Sequence, residues 1–272
     1  MIKFFTSSIE QNREEKKTFR WQVAVSLYVL FVSFSLANII FIREVYRLKP
    51  DVGEVNTAYS KPIVDHVLST GLNSLIIGAI LLFIGLWVSS RANLGAPVLA
   101  RYFSGKPIGE LISWRSLLSC VTLAIVVAVV LLGLLELQRL LYPVSALQER
   151  PSKIYYVLVS FVAGTNEEII FRLCLMSMLV ATIQYFKKQD EPTNTTVWTG
   201  IILAALIFGV MHFPITSNFH ELTPLTMATT IIGNLLTGIT FGWVFWKYGL
   251  LVAIISHIAF DITFHVIGSP FG

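Results

Sequence analysis

The sequence alternates between long apolar runs and shorter segments that carry most of its charged residues. A helix needs about 20 apolar residues to cross the hydrocarbon layer of a bilayer, and several runs exceed that length. The predicted spans are 21–42, 67–88, 117–137, 154–186, 197–213, 225–246 and 250–267. Uninterrupted runs predict helices rather than a barrel, because backbone groups in lipid must find hydrogen-bond partners within the segment. The predicted fold is all-α, a polytopic integral membrane helical bundle of about seven to eight transmembrane helices. The eighth requires that 97–112 or 213–224 re-enter the membrane.

Composition agrees with a membrane protein. Hydrophobic residues make up 55% of the 272 residues and charged residues only 13%, whereas a soluble domain carries roughly 25% charged residues. The basic residues are scattered among the loops, so we expect membrane lipid and no nucleic acid as a partner. The only two cysteines, Cys120 and Cys174, lie within apolar runs. This excludes a disulfide framework and a cysteine-rich zinc site.

The chain divides into a polar N-terminal tail (1–20), a first set of spans and loops (21–153) and a second set (154–272). No cleavable signal peptide is expected, since the first apolar run is too long for the core of one and should stay in the membrane. With seven spans, twelve Lys and Arg residues fall on the N-terminal side and seven on the other. The positive-inside rule therefore predicts a cytoplasmic N-terminus. The expected location is a bacterial cytoplasmic membrane.

The stretch 162–172, VAGTNEEIIFR, places three ionisable groups inside the fourth span. Each charge at the bilayer centre costs at least about 2.5 kcal/mol, so an ionisable residue there is a functional candidate by default. Glu168 and Arg172 are four residues apart on one helix face, which predicts a structural ion pair. Glu167 points about 100° away from Glu168 and has no partner in its own helix. It is the better candidate for reactivity.

Two later spans add histidines. His212 ends the fifth span, and Phe208 lies one turn before it, placed to shield or stack on the ring. In the last span, His257, Asp261 and His265 recur every four residues and form a polar stripe. Packed bundles turn such stripes inward. Convergence with Glu167 would give a general-base site, because a desolvated carboxylate takes a proton from water more readily.

The three motifs occur in a recognisable order. Glu-Glu-x-x-x-Arg at 167–172, Phe-x-x-x-His at 208–212 and His-x-x-x-Asp at 257–261 each lie in a separate apolar run. The pattern resembles the CAAX prenyl protease and bacteriocin-processing family (CPBP, or Abi), over about residues 154–267. The resemblance implies an intramembrane glutamic endopeptidase that uses no metal. The expected substrate is a membrane-associated peptide or a prenylated, CAAX-type protein.

The resemblance also implies a role for each residue. Glu167 would activate the hydrolytic water with the help of His212, while Glu168 and Arg172 form the structural ion pair. His257 and the residue at 261 would line the oxyanion side. The eukaryotic prenyl proteases carry Asn at this last position, whereas this chain has Asp261. A carboxylate donates a hydrogen bond only when protonated, so Asp261 is expected instead to hold the tautomer of His257.

Other interpretations of the same residues stay open. Glu, His and Asp are also metal ligands, so a metal-dependent membrane hydrolase is one alternative, although HExxH is absent. A non-catalytic regulator or immunity protein that binds a partner membrane protein is another, and a proton-coupled transporter a weaker one. Cys174 is expected to pack rather than to act as a nucleophile, and His265 is expected to be structural or interfacial.

Overall fold

The computed structural model describes residues 13–49 and 62–268. Within these ranges the chain is helical and has no β-strand; an isolated bridge joins Ala146 and His220. Part of the predicted tail (1–12), part of the first loop (50–61) and the last residues (269–272) lie outside the described residues. The predicted division at residue 153 stays a prediction.

Eleven α-helices are described, together with two π-helical segments and one short 3-10 turn. They are α1 (Arg13–Thr18), α2 (Arg20–Arg47), α3 (Ile63–Arg91), α4 (Pro97–Phe103), the 3-10 turn (Ile108–Glu110), α5 (Trp114–Leu141), α6 (Lys153–Glu167), the first π segment (Glu168–Met176), α7 (Ser177–Phe186), α8 (Asn194–Met211), α9 (Phe213–Phe219), α10 (Pro224–Tyr248), α11 (Leu250–Asp261) and the second π segment (Ile262–Ile267). Seven helical stretches of the described chain are long and apolar enough to cross a membrane. This confirms the polytopic helical bundle.

Helix starts coincide with capping residues that the sequence supplies. The hydroxyl of Ser113 accepts from the N–H of Ser116 at the start of α5, and Thr193 does the same for Thr196 in α8. Thr223 and Thr226 form a reciprocal capping box at the start of α10. Such caps satisfy N–H groups that have no partner within the helix. They explain why the spans begin a few residues before the apolar runs.

Gly249 separates the last two spans. Its φ of +83° lies in the left-handed region, which glycine adopts without steric penalty. A Cβ at this position would also overlap Pro97 of α4. The turn between α10 and α11 therefore requires glycine for two independent reasons.

Two of the seven spans are not uniform α-helices. The fourth, predicted as one run over 154–186, passes from α6 into the first π segment and then into α7. The Ser177 hydroxyl donates to the carbonyl of Arg172 at 3.1 Å, five residues back. The seventh span ends in the second π segment. The π-helix is rare and is frequently found at functional sites. Here the first π segment begins at Glu168, and the second follows directly after Asp261.

The fourth and seventh spans form the centre of the bundle. Half of the most apolar 18 residues of each is buried, compared with 22–28% in the first three spans. α6 packs against α2 and α11, and the first π segment packs against α3 and α8. Gly164 makes the α6–α11 approach possible, since a Cβ there would lie 2.6 Å from the Ile258 side chain and 3.1 Å from its backbone nitrogen. The helices that carry Glu167 and His257 are thus closely packed against each other.

The two predicted re-entrant candidates form short helices. α4 lies in the first of them, and it buries Pro97, Val98, Ala100 and Arg101 against the bundle. Arg101 is ion-paired with Glu15 of α1 at 2.8 Å. In the second candidate, α9 follows directly after α8.

Candidate active site

The predicted site residues converge at the middle of the bundle. They come from the junction of α6 with the first π segment, from the end of α8, and from α11. The convergent set is Glu167, Glu168, Arg172, Phe208, His212, His257 and Asp261. Each pair within its own helix could be anticipated from spacing, whereas the contacts between helices arise from the close packing of α6 and α11.

Glu168 is fully buried and holds His257. The Nδ1 of His257 donates to Oε1 of Glu168 at 2.8 Å, across the α6–α11 interface. The ring of His257 also stacks on Phe241 of α10, with ring centroids 4.5 Å apart and planes 19° from parallel. A carboxylate on one side and an aromatic face on the other fix the orientation of this imidazole. A proton on Nδ1 leaves Nε2 directed at the remaining carboxylates.

Arg172 neutralises the buried carboxylate without hydrogen-bonding to it. Its terminal nitrogen lies 3.4 Å from Oε1 of Glu168. Its guanidinium carbon lies 4.7 Å from the ring centroid of Phe208 and 5.6 Å from that of Phe241. Guanidinium groups are attracted to aromatic faces within about 6 Å. Among the described residues, neither terminal nitrogen of Arg172 has a hydrogen-bond partner.

Glu167 is the more accessible of the two adjacent carboxylates. Its side chain is 27% exposed, whereas that of Glu168 is 0% exposed. Oε1 of Glu167 lies 4.0 Å from Nε2 of His212, and Oε2 lies 3.8 Å from Nε2 of His257. Both distances exceed hydrogen-bond length. Glu167 thus lies between two imidazoles, each near enough to share a small bridging group with it.

His212 reaches this position from the end of α8. Its Nδ1 is 2.8 Å from the carbonyl oxygen of Phe208, one turn earlier. A carbonyl only accepts, so Nδ1 carries the proton, and in the neutral ring Nε2 has the lone pair that faces Glu167. Phe208 contacts the ring edge-on, with centroids 4.4 Å apart. The backbone bond and the aromatic contact together orient the imidazole.

Asp261 does not make the hydrogen bond to His257 that its predicted role requires. Its Oδ1 is 3.6 Å from Nε2 of His257, which is too long for a hydrogen bond. The hydrogen bond that fixes His257 comes from Glu168 instead. Asp261 is buried on the same side of the ring as Glu167.

Two further residues took no part in the predicted site. Phe241 of α10 stacks on His257, and the neighbouring Gly238 and Gly242 allow α10 to pack closely against Ala205 and Ile201 of α8. His265 stacks on Tyr156 of α6, with centroids 5.3 Å apart. Cys174 is buried. No three His, Cys, Asp or Glu side chains in 13–49 and 62–268 are grouped to hold a metal ion.

Fold and site together define a polytopic helical membrane protein with a polar centre built from its fourth, fifth and seventh spans. Residues 149–263 match the model of the family described as type II CAAX prenyl endopeptidase Rce1-like. The match confirms the resemblance drawn from the three motifs and supports a protease of this type. Neither a curated protein nor a solved structure matches the chain.

Proposed function

We propose that the protein is an intramembrane endopeptidase that needs no metal and hydrolyses a peptide bond in a membrane-associated peptide or a prenylated, CAAX-type protein. One observation carries the proposal. The partly exposed carboxylate of Glu167 makes no hydrogen bond to a described residue and lies 4.0 Å and 3.8 Å from the imidazole nitrogens of His212 and His257. A carboxylate kept apart from its neighbours in this way is available for chemistry.

Glu167 and His212 form the water-activating pair. A single water can donate hydrogen bonds of about 2.8 Å to both Oε1 of Glu167 and Nε2 of His212, because these two atoms are 4.0 Å apart. Its two protons then point at the carboxylate and the imidazole, and its lone pairs point outward to the substrate carbonyl. As the water oxygen attacks, Glu167 takes one proton and later returns it to the leaving amine, in the manner of a general base and acid.

His257 and Asp261 lie on the oxyanion side. Nδ1–H of His257 is committed to Glu168, so only Nε2 faces the site. Carrying a proton there as well, the ring donates a hydrogen bond to the developing oxyanion. The carboxyl group of Asp261, 3.6 Å away, donates only when protonated and otherwise stabilises the protonated imidazole. Glu168 and Arg172 contribute indirectly by holding the ring in position.

The proposal is tested by cleavage of quenched fluorescent peptides, farnesylated and unmodified, with purified protein in detergent. Wild type, Glu167→Gln and His212→Ala are compared with and without EDTA. We expect turnover by wild type in both conditions and loss of turnover in both variants. Comparing the two peptides shows whether the prenyl group is required.

Each contrary result has a distinct meaning. Turnover that persists in Glu167→Gln contradicts the assigned mechanism. Turnover that EDTA abolishes and zinc restores favours a metal-dependent hydrolase. Absence of turnover on every peptide shifts the weight to a regulator that binds a partner membrane protein.

A further inference from the structure

The short helix α9 begins directly after His212, which is its N-cap residue. In the first turn, the N–H of Thr216 donates to the carbonyl of His212 at 3.0 Å. Nε2 of the same histidine lies 4.0 Å from Oε1 of Glu167. A substrate carbonyl has to approach the attacking water to about 3–3.5 Å. A peptide that reaches Glu167 and His212 therefore lies close to the first turn of α9.

The other end of α9 is attached to α2 and α6. Phe219 packs against buried residues of these two helices, among them Tyr156. Its carbonyl accepts from the N–H of Leu147 at 2.8 Å. Tyr156 precedes Glu167 by eleven residues, which is about 16 Å along α6. α9 thus connects the level of His212 with the loop-side end of α6.

The attachment of α9 depends on few side chains. None of its seven described residues is buried. The hydroxyl of Thr216 lies 3.3 Å from that of Thr230 in α10. The guanidinium carbon of Arg150 lies 4.9 Å from the ring centroid of Tyr156 and 6.0 Å from that of Phe219; these three residues are called the latch below. Segments with few buried contacts open most readily, and active-site lids are drawn from such segments.

We propose that α9 is a lid over Glu167 and His212, which the latch holds closed and which opens to admit the peptide. The inference rests on the function proposed above, since it assumes that a peptide reaches these two residues. With the lid closed, the side chains of Glu167 and His212 are 27% and 24% exposed, so water reaches them. Opening of α9 admits the larger peptide, and its return keeps bulk water away from the reaction.

Loss of the latch should make the site easier to reach. When only the open form binds a ligand, the apparent affinity is proportional to the fraction of open molecules. A contact between a guanidinium group and an aromatic ring at an exposed position is worth a factor of about two to five. Arg150→Gln, and Phe219→Leu, which keeps an apolar side chain, should therefore raise kcat/KM by about that factor through a lower KM. The control Lys153→Gln removes an exposed cation from the start of α6 and should change neither constant.

A reversible cross-link tests whether α9 must move. The variant Thr216→Cys/Thr230→Cys places two thiols where the hydroxyls are 3.3 Å apart, within reach of a disulfide. The oxidised protein should lose peptide turnover, and dithiothreitol should restore it. Each single variant, oxidised in the same way, should retain turnover, which controls for Cys120 and Cys174. Full turnover by the oxidised double variant, with the disulfide verified by mass spectrometry, would contradict the lid.

Thiol labelling separates the lid from the proposed function. Glu167→Cys places a thiol in the site, and its rate of alkylation by a maleimide reports access without any turnover. The Glu167→Gln protein gives the background from the two native cysteines. Labelling should be about two- to fivefold faster when Arg150→Gln is added and unchanged when Lys153→Gln is added.

The labelling result has a meaning whether or not a peptide is cleaved. Equal rates in all three proteins overturn the lid and leave the endopeptidase assignment intact wherever cleavage is observed. Faster labelling after loss of the latch, in a protein that cleaves no peptide, supports the lid and counts against the proposed function.

Discussion

Glu168 and His257 are 89 residues apart in sequence and are joined by a hydrogen bond of 2.8 Å at the centre of the bundle. Glu168 is thereby a shared partner of His257 and Arg172, and the latter lies 3.4 Å from the same oxygen. The neighbouring Glu167 lies 3.8 Å from Nε2 of His257, beyond hydrogen-bond length. Two adjacent carboxylates therefore have different surroundings: one is buried and bonded to an imidazole, and the other is partly exposed.

Replacement of Glu167 by Gln should abolish cleavage while leaving the fold near normal. Its side chain makes no hydrogen bond to a described residue and is 27% exposed, so the amide introduces little strain. Loss of a general base typically lowers rate by about 10²–10⁴-fold. The measurement is kcat on a fluorogenic peptide, alongside size-exclusion elution and the thermal midpoint.

Glu136→Gln is the matched control, because it also removes a carboxylate from a span. Glu136 pairs with Arg139 on the outer side of α5, and its loss should leave kcat unchanged. A similar loss of activity in both variants would show that the effect is not specific to Glu167.

Replacement of Arg172 by Met should destabilise the protein. It removes the guanidinium group that lies 3.4 Å from the carboxylate of Glu168, which is 0% exposed. Breaking one half of a buried pair typically costs about 3–5 kcal/mol. The thermal midpoint in detergent should fall clearly, whereas Arg139→Met, which breaks an exposed pair, should change it little.

The double variant Glu168→Gln/Arg172→Met distinguishes charge from packing. It removes both charges and keeps an oxygen that can accept from Nδ1 of His257. A midpoint that recovers toward wild type indicates that the uncompensated charge was the cause. A midpoint as low as that of Arg172→Met would attribute the loss to the aromatic contacts of the guanidinium with Phe208 and Phe241.

Replacement of Gly164 by Ala should reduce activity by displacing α6, which carries Glu167, from α11, which carries His257. The added methyl would lie 2.6 Å from the Ile258 side chain and 3.1 Å from its backbone nitrogen, next in sequence to His257. Overpacking of this kind costs about 1–3 kcal/mol, and a misplacement of about 1 Å can lower the rate by about a hundredfold. Gly133→Ala, which meets no atom within 4 Å, is the control and should leave kcat as in wild type.

The second half of the chain should not fold without the first. α6 packs on α2, and the first π segment packs on α3, so a fragment of residues 154–272 would expose these contacts. Expressed alone, the fragment should be degraded or inactive, and co-expression with residues 1–153 should restore peptide cleavage. Activity of the fragment by itself would show that the first three spans are dispensable.

The seven spans were predictable from the sequence because lipid imposes a minimum length on each apolar run. Their ends differ by a few residues, as for the fifth, predicted at 197–213 and observed as Asn194–Met211 followed by α9. The π segments were not predictable. An apolar pattern that repeats every three to four residues does not reveal where the hydrogen bonds shift from the fourth to the fifth residue back.

The residues of the candidate site could be predicted from the sequence, but the contacts between its helices could not. Spacing of four residues identifies Glu168 with Arg172 and His257 with Asp261 as neighbours on one helix. The bond from His257 to Glu168 depends on the register of two helices that Gly164 brings into contact. Nor does any local signal reveal that Phe241 stacks on His257, because an aromatic residue in an apolar run is compatible with any orientation.

The close packing of the fourth span against the first two bears on how the chain enters the membrane during synthesis. The most apolar 18 residues of this span have a mean hydropathy of 1.8, below the 2.2, 2.2 and 2.9 of the three spans before it. The span also contains the charged residues Glu167, Glu168 and Arg172. When this helix emerges, the earlier ones are already present, and Asn166 can bond to Ser35 while Gly85 receives the backbone of Leu173. The first two spans thus offer a protein surface to a segment that lipid alone would accept poorly. The least apolar of these four helices is thus synthesised after two of the helices that pack against it, α2 and α3.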